Sequence, residues 1–197
     1  MNKEIVQLYI DAGVNVNVTG YSSTPDEYYG SGNIKETTYN PLTPLMCAVG
    51  ARFGNVQFVK TLLDAGANVN FVDDSGNTVL HRAITNKNPE FLADKVNIIK
   101  SLIDAGANVN AKDKHGQTVL HYAASEYNPN EYDEYDEFKG HNKHNKEIVK
   151  LLIDSGADVN AVDNDGKTAL YMATKVGNDD NVKLLIDAGA DATITNK

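Results

Sequence analysis

From Glu147 the chain reads EIVKLLIDSG, and Ile148, Val149, Leu151, Leu152 and Ile153 form one broad apolar face at helical spacing. Gly156 ends that helix, because the position after a helix commonly needs a positive φ. An extended stretch with alternating DVN character follows, then the tight-turn residues DNDG at 163–166. Thr168 stands where its side-chain oxygen would cap a new helix. The order is therefore helix, finger-like turn, helix, turn, and it is written more than once. LLDAGANVN occupies 62–70, LIDAGANVN 102–110 and LLIDSGADVN 151–160, with YIDAGVNVN at 9–17 and LLIDAGADA at 184–192.

Spacing turns this repetition into an architecture. The recurrent glycine falls at 13, 66, 106, 156 and 189, with gaps of 53, 40, 50 and 33 residues. A Thr-x-Leu landmark lies at 43–45, 78–80, 118–120 and 168–170, three times 12 residues after the preceding glycine. The shortest unit is thus 33 residues long, and the longer ones carry insertions. A unit this small cannot bury its apolar face alone and must stack on its neighbours.

The motifs TPLMCA at 43–48, TVLHRA at 78–83, TVLHYA at 118–123 and TALYMA at 168–173 complete the pattern. In period and motif the units resemble ankyrin repeats. The resemblance spans nearly the whole chain apart from its inserts. It implies an all-α solenoid of stacked helix–turn–helix units with short β-hairpin-like fingers and long loop insertions. The whole chain, 1–197, then reads as one domain. An N-terminal half-repeat covers 1–17 and a finger insertion 18–40. Repeat one runs over 41–72, repeat two over 73–112 and repeat three over 113–162. A C-terminal capping repeat takes 163–197. Only Pro44 uses the favoured first-turn proline site. The chain opens on a second helix, KEIVQLYIDAG, which suits either a half-repeat cap or a shortened N-terminus. Asn181 stands where Ile5, Phe58, Ile98 and Ile148 stand in the other units, as expected of a terminal unit with a wet outer face.

His81 and His121 invite a metal or catalytic reading. They share one repeat position with Met46 and Tyr171, which a set of metal ligands would not allow. The resemblance implies instead that this His packs and hydrogen-bonds locally beside the Thr. Asp73, Asp113 and Asp163 read as turn-capping carboxylates. No nucleophile elbow, phosphate loop, zinc motif or dinucleotide fingerprint occurs, so neither an enzyme nor a cofactor is expected.

Individuality lies in the inserts. The first, VTGYSSTPDEYYGSGNIKETTYN, lengthens the first finger. Repeat two gains TNKNPEFLADKVN at 85–97 between its helices, and repeat three gains a longer acidic and Tyr-rich insert at 126–146. The latter two should emerge side by side, about 10 Å apart, with Phe91, Leu92 and Phe138 available for an apolar contact between them. Tyr21, Tyr28 and Tyr29 lie in the first insert, in the Tyr, Ser, Gly and Asn composition of adaptable recognition loops. EYDEYDE at 131–137 holds five acids, without the spacing or the glycine of a calcium loop.

The net charge of −9 opposes general nucleic-acid binding and anionic membrane surfaces, and permits a basic partner. No apolar run approaches the roughly 18 residues of a membrane helix. Cys47 is the single cysteine, which fits a reducing compartment: the cytoplasm of its own cell, or of a host if the chain is delivered as an effector. A monomer that binds another protein is the expected function. The resemblance implies contact through finger tips at Asp74, Ser75, Asn77, Lys114, His115, Gln117, Asn164, Asp165 and Lys167. It adds the helix ends at Thr85, Asn86, Ser125 and Glu126. The finger AKDKHGQ is basic between acidic neighbours, an alternation suited to setting a partner's register. The alternative is an inhibitor or host-directed effector that mimics acidic ligands through 131–137. Asn70, Asn110 and Asn160, each eight residues after a Leu, also resemble ankyrin asparagines hydroxylated by a dioxygenase. The simpler expectation is an Asn bonded within its own finger.

Overall fold

The computed structural model describes Leu8 and residues 10–22, 40–50, 56–125 and 141–194. Two short strands, β1 (Gly20–Ser22) and β2 (Asn40–Leu42), precede the helices. The helices are α1 (Pro44–Gly50), α2 (Val56–Asp64), α3 (Val79–Thr85), α4 (Pro89–Leu92) and α5 (Lys95–Asp104). They continue as α6 (Val119–Ser125), α7 (His141–Asp154), α8 (Ala169–Lys175) and α9 (Asp179–Asp187).

The apolar periodicity dictates how these pack. Each short helix pairs with the longer one that follows it: α1 with α2, α3 with α5, α6 with α7 and α8 with α9. The short helices then stack in one row, α1–α3–α6–α8, and the longer ones in a second, α2–α5–α7–α9. The core is the seam between the rows. The motif leucines Leu45, Leu80, Leu120 and Leu170 enter it from one side. Leu62, Leu102, Leu152 and Leu185 enter it from the other, and all eight are buried. One apolar face repeated four times thus builds one continuous core, with no unit enclosing its own.

The glycines that close the long helices have the backbone the sequence pattern requires. Gly106 has φ +88°, its N–H meets the Ile103 carbonyl at 2.9 Å, and the next amide returns to Leu102 O at 3.0 Å. Beyond each such turn the fingers are closed by single antiparallel bridges, Val72 to Thr78, Lys112 to Thr118 and Val162 to Thr168. The first finger lacks the Asp–Gly turn and closes differently. Its β1 and β2 form an antiparallel ribbon, with Gly20 opposite Leu42 and Ser22 opposite Asn40.

Two residues are more deeply buried than the sequence suggests. Phe91 is 0% exposed and belongs to the main core, because α4 folds the repeat-two insert back over the helices; a contact with the repeat-three insert falls on residues outside the described ones. Phe138 lies outside the described residues. Asn181 is likewise 0% exposed and not on a wet face. Its Nδ2 donates to Asn145 Oδ1 at 2.6 Å, and Asn145 Nδ2 donates to the Ala123 carbonyl at 2.8 Å. Asn178 Oδ1 accepts the Asn181 backbone N–H. A polar residue fits this apolar position because a chain of amides satisfies its donors.

The histidines tie one unit to the next. His81 Nδ1 lies 3.2 Å from the Thr78 N–H and 2.9 Å from the Thr78 hydroxyl, and an N–H can only donate. Nδ1 is therefore the acceptor, Nε2 carries the proton, and it donates to Gln117 O at 3.3 Å in the following finger. His121 repeats this arrangement with Thr118 and with Lys167 O at 3.0 Å. The bond is thus local and inter-repeat at once. Burial lowers both imidazole pKa values, outweighing the nearby carbonyls and carboxylates that would raise them. In the unfolded chain His titrates near about 6.5. The unfolded state therefore binds more protons below that pH, and stability falls as pH drops from about 6.5 toward the lowered folded values. Thermal melts at pH 7.5 and 5.5 should show a lower Tm at 5.5. The pair His81→Met and His121→Tyr, which copies residues used at the same repeat position, should remove that part of the slope. Imidazole NMR titrations above the ordinary His value would contradict this.

Candidate protein-binding surface

The fingers form a row held together by their backbones. Asp73 makes the first turn: its Oδ1 accepts the Ser75 and Asn77 N–H groups, each at 2.9 Å. Asp113 and Asp163 repeat this with His115 and Gln117, and with Asp165 and Lys167. The Tyr122 hydroxyl donates to Asp113 Oδ2 at 2.7 Å. Burial would raise the Asp113 pKa, but this bond and the two amides outweigh it and hold the carboxyl below its usual range. Burial and the same carboxylate push the Tyr122 phenol well up.

Neighbouring tips also bond to each other. The Lys114 N–H donates to Ser75 O at 3.0 Å, and the Asn164 N–H donates to His115 O at 2.9 Å. Asn164 Nδ2 adds a bond to Lys114 O at 3.0 Å. The approach is close enough to demand glycine. A Cβ on Gly116, at φ +75°, would lie 2.8 Å from the Asn164 backbone nitrogen.

Below the tips runs a ladder of asparagines. Asn17, Asn70, Asn110 and Asn160 donate through Nδ2 to the carbonyls of Gly66, Gly106, Gly156 and Gly189. Their Oδ1 atoms accept the backbone N–H groups of Asn68, Asn108, Asp158 and Asp191 at 2.6–2.8 Å. These side chains therefore bridge to the next unit and are not bonded only within their own finger. The unit register places Thr193 at the next rung, and its hydroxyl bonds Asp191 instead.

This geometry sorts the expected contact residues. Asp74, Lys114, His115, Asn164 and Asp165 stand exposed along the tips, while Ser75, Asn77, Gln117 and Lys167 are half-buried among the turns. Asp165 is paired with Lys167 Nζ at 2.6 Å, and that partner lowers its pKa. Gln117 spends its amide on Asp163 at 3.4 Å. Thr85 is exposed at the end of α3. Asn86 is a bracket, donating to Val49 O of the preceding unit at 2.7 Å. Ser125 bonds the Tyr122 carbonyl. Tyr21 lies in β1 opposite Pro41, with its side chain outside the described residues. Tyr28, Tyr29, Glu126 and the 131–137 acids also lie outside them.

The structure adds Gly50, Arg82, Lys87 and Tyr122 to the residues expected from sequence. A cleft of about 470 Å³ opens where three units meet, lined by these four with Asn77, Thr85 and Asn86. Its signal was available in the motif column Cys47, Arg82, Tyr122 and Met172, one place after the Met/His/Tyr position, where side-chain chemistry changes in every unit.

Profiles of ankyrin repeats match the chain over residues 1–94 and 141–196, and single-repeat profiles match 75–114 and 115–164. The chain belongs to the ankyrin-repeat family, a class of stacked-helix scaffolds that generally mediates protein–protein contacts and is usually non-catalytic. No curated protein matches it at a significant level. Among the described residues no helix is long and apolar enough to cross a membrane.

Proposed function

We propose that this chain is a rigid recognition scaffold whose finger row and adjoining helix ends grip a protein partner. The supporting observation is the backbone lock between tips, Lys114 to Ser75 and Asn164 to His115, which leaves the Asp74, Lys114, His115 and Asp165 side chains facing solvent. A pre-ordered surface loses little conformational entropy on binding. The charge order along it is acidic, basic, acidic, so a partner with complementary order docks in one register. Tyr28 and Tyr29, outside the described residues, join the contact set in this reading on the composition of their insert alone.

Affinity capture from candidate cytosols tests it, comparing the intact chain with a Lys114→Ala, His115→Ala variant. Capture of a defined partner should fall about tenfold or more, with Tm within a degree or two. Unchanged capture by a folded variant would place the contact elsewhere.

A further inference from the structure

The described lining of the cleft beneath the fingers carries the opposite sign to the chain as a whole. Net charge is −9, yet among the described residues the cleft is lined by Arg82 and Lys87 and by no carboxylate. Asp73 is the nearest anion paired with Arg82, and it meets Arg82 Nη1 only at 3.6 Å, beyond hydrogen-bond length. Asp73 is already occupied as the acceptor for the finger turn. The Arg82 side chain is 28% exposed, and its buried Nε has no hydrogen-bond partner among the described residues. A guanidinium so weakly held keeps donors to spare.

The walls suit a short acidic group. Gly50 comes so near that a Cβ there would lie 3.2 Å from Arg82 Nη2, so the glycine leaves the guanidinium its room. Tyr122 contributes a fixed ring. Its hydroxyl is committed to Asp113, and the ring stands edge-on to His81 at 5.7 Å. Asn86 is pinned to Val49, which sets the mouth of the cleft. Lys87 stands exposed beside it. A planar fork, an exposed ammonium and no competing anion among the described lining residues form a receptor for a carboxylate.

We infer that this cleft binds a carboxylate of an acidic segment on the partner protein, with Arg82 as its fork and Lys87 as its second cation. The inference rests on the scaffold reading above and gives it a chemical requirement. The partner carries an Asp, a Glu or a chain-end carboxylate opposite the cleft, whatever charge faces the finger tips.

The test is an NMR titration of the ¹⁵N-labelled full chain with acetyl-Gly-Ser-Glu-Ser-Gly-amide and with its Gln counterpart. The Glu peptide should move the Arg82 Nε–H signal and the amides of Gly50, Asn86 and Lys87. The Gln peptide should bind about tenfold more weakly, the difference between a charged and a neutral acceptor. Affinity for the Glu peptide should also fall with added salt. Lys87→Ala alters an exposed side chain, keeps the fold and should weaken binding severalfold. Arg82→Lys keeps the charge, removes the fork and should reduce the preference for Glu. Equal shifts with both peptides, or no shifts at the cleft, would overturn the inference. If the finger variant still loses its partner while the Glu peptide leaves the cleft signals unmoved, this inference fails and the scaffold reading stands. If the cleft responds while finger substitutions leave capture intact, the scaffold's finger contact fails and the carboxylate site stands.

Discussion

Phe91→Ala lowers the unfolding free energy by about 3–5 kcal/mol, the range for emptying a buried aromatic site. The size of that effect separates two views of the repeat-two insert. A phenyl ring on a decorative loop costs within about 0.5 kcal/mol when removed. Phe91 has no exposed surface and packs with the main core, and α4, only four residues long, brings it there. Chemical denaturation of the wild type and the variant decides between them. A midpoint shift with an unchanged m-value reports lost packing, and a negligible shift would return the insert to the surface.

Leu152→Ala is the second large effect, at about 2–5 kcal/mol. Leu152 is fully buried on α7, and α7 touches α5, α6 and α9. A void there loosens the contact with its own short helix and with the units on both sides. In a stack stabilised by neighbour contacts, such a lesion lowers cooperativity as well as Tm. The urea transition of Leu152→Ala should therefore be earlier than that of the wild type and broader than that of Phe91→Ala, or split into two. A sharp single transition at the wild-type midpoint would show that the seam between the rows is not where stability resides.

The framework was legible in the sequence because its landmarks are local necessities. Gly66, Gly106, Gly156 and Gly189 mark helix ends that need positive φ, and Thr43, Thr78, Thr118 and Thr168 mark helix starts. The recurring helix–turn–helix unit implied a stack, and the contacts between helices resolve it into two rows. The core position of Phe91 was not legible, because an apolar residue inside an insert carries no record of the direction in which the insert folds. Asn181 was misplaced for a related reason. Its polarity argues for solvent, and only the arrival of Asn145 and Asn178 reverses that. The finger residues followed from the repeat resemblance, whereas the cleft left only a faint trace, the varied motif column of Cys47, Arg82, Tyr122 and Met172. Arg82 sits inside a repeat motif and looks like filler until Gly50, Lys87 and Tyr122 converge on it from three units.

The asparagine rungs and the two imidazole ties share an orientation. At each finger base the bridging side chain belongs to the earlier unit, and the groups it grips belong to the later one. The stack consequently has a grain. A lesion in one slab is felt first by its successor, and an opening that starts at the Asp191 end strips predecessors of their grip one by one.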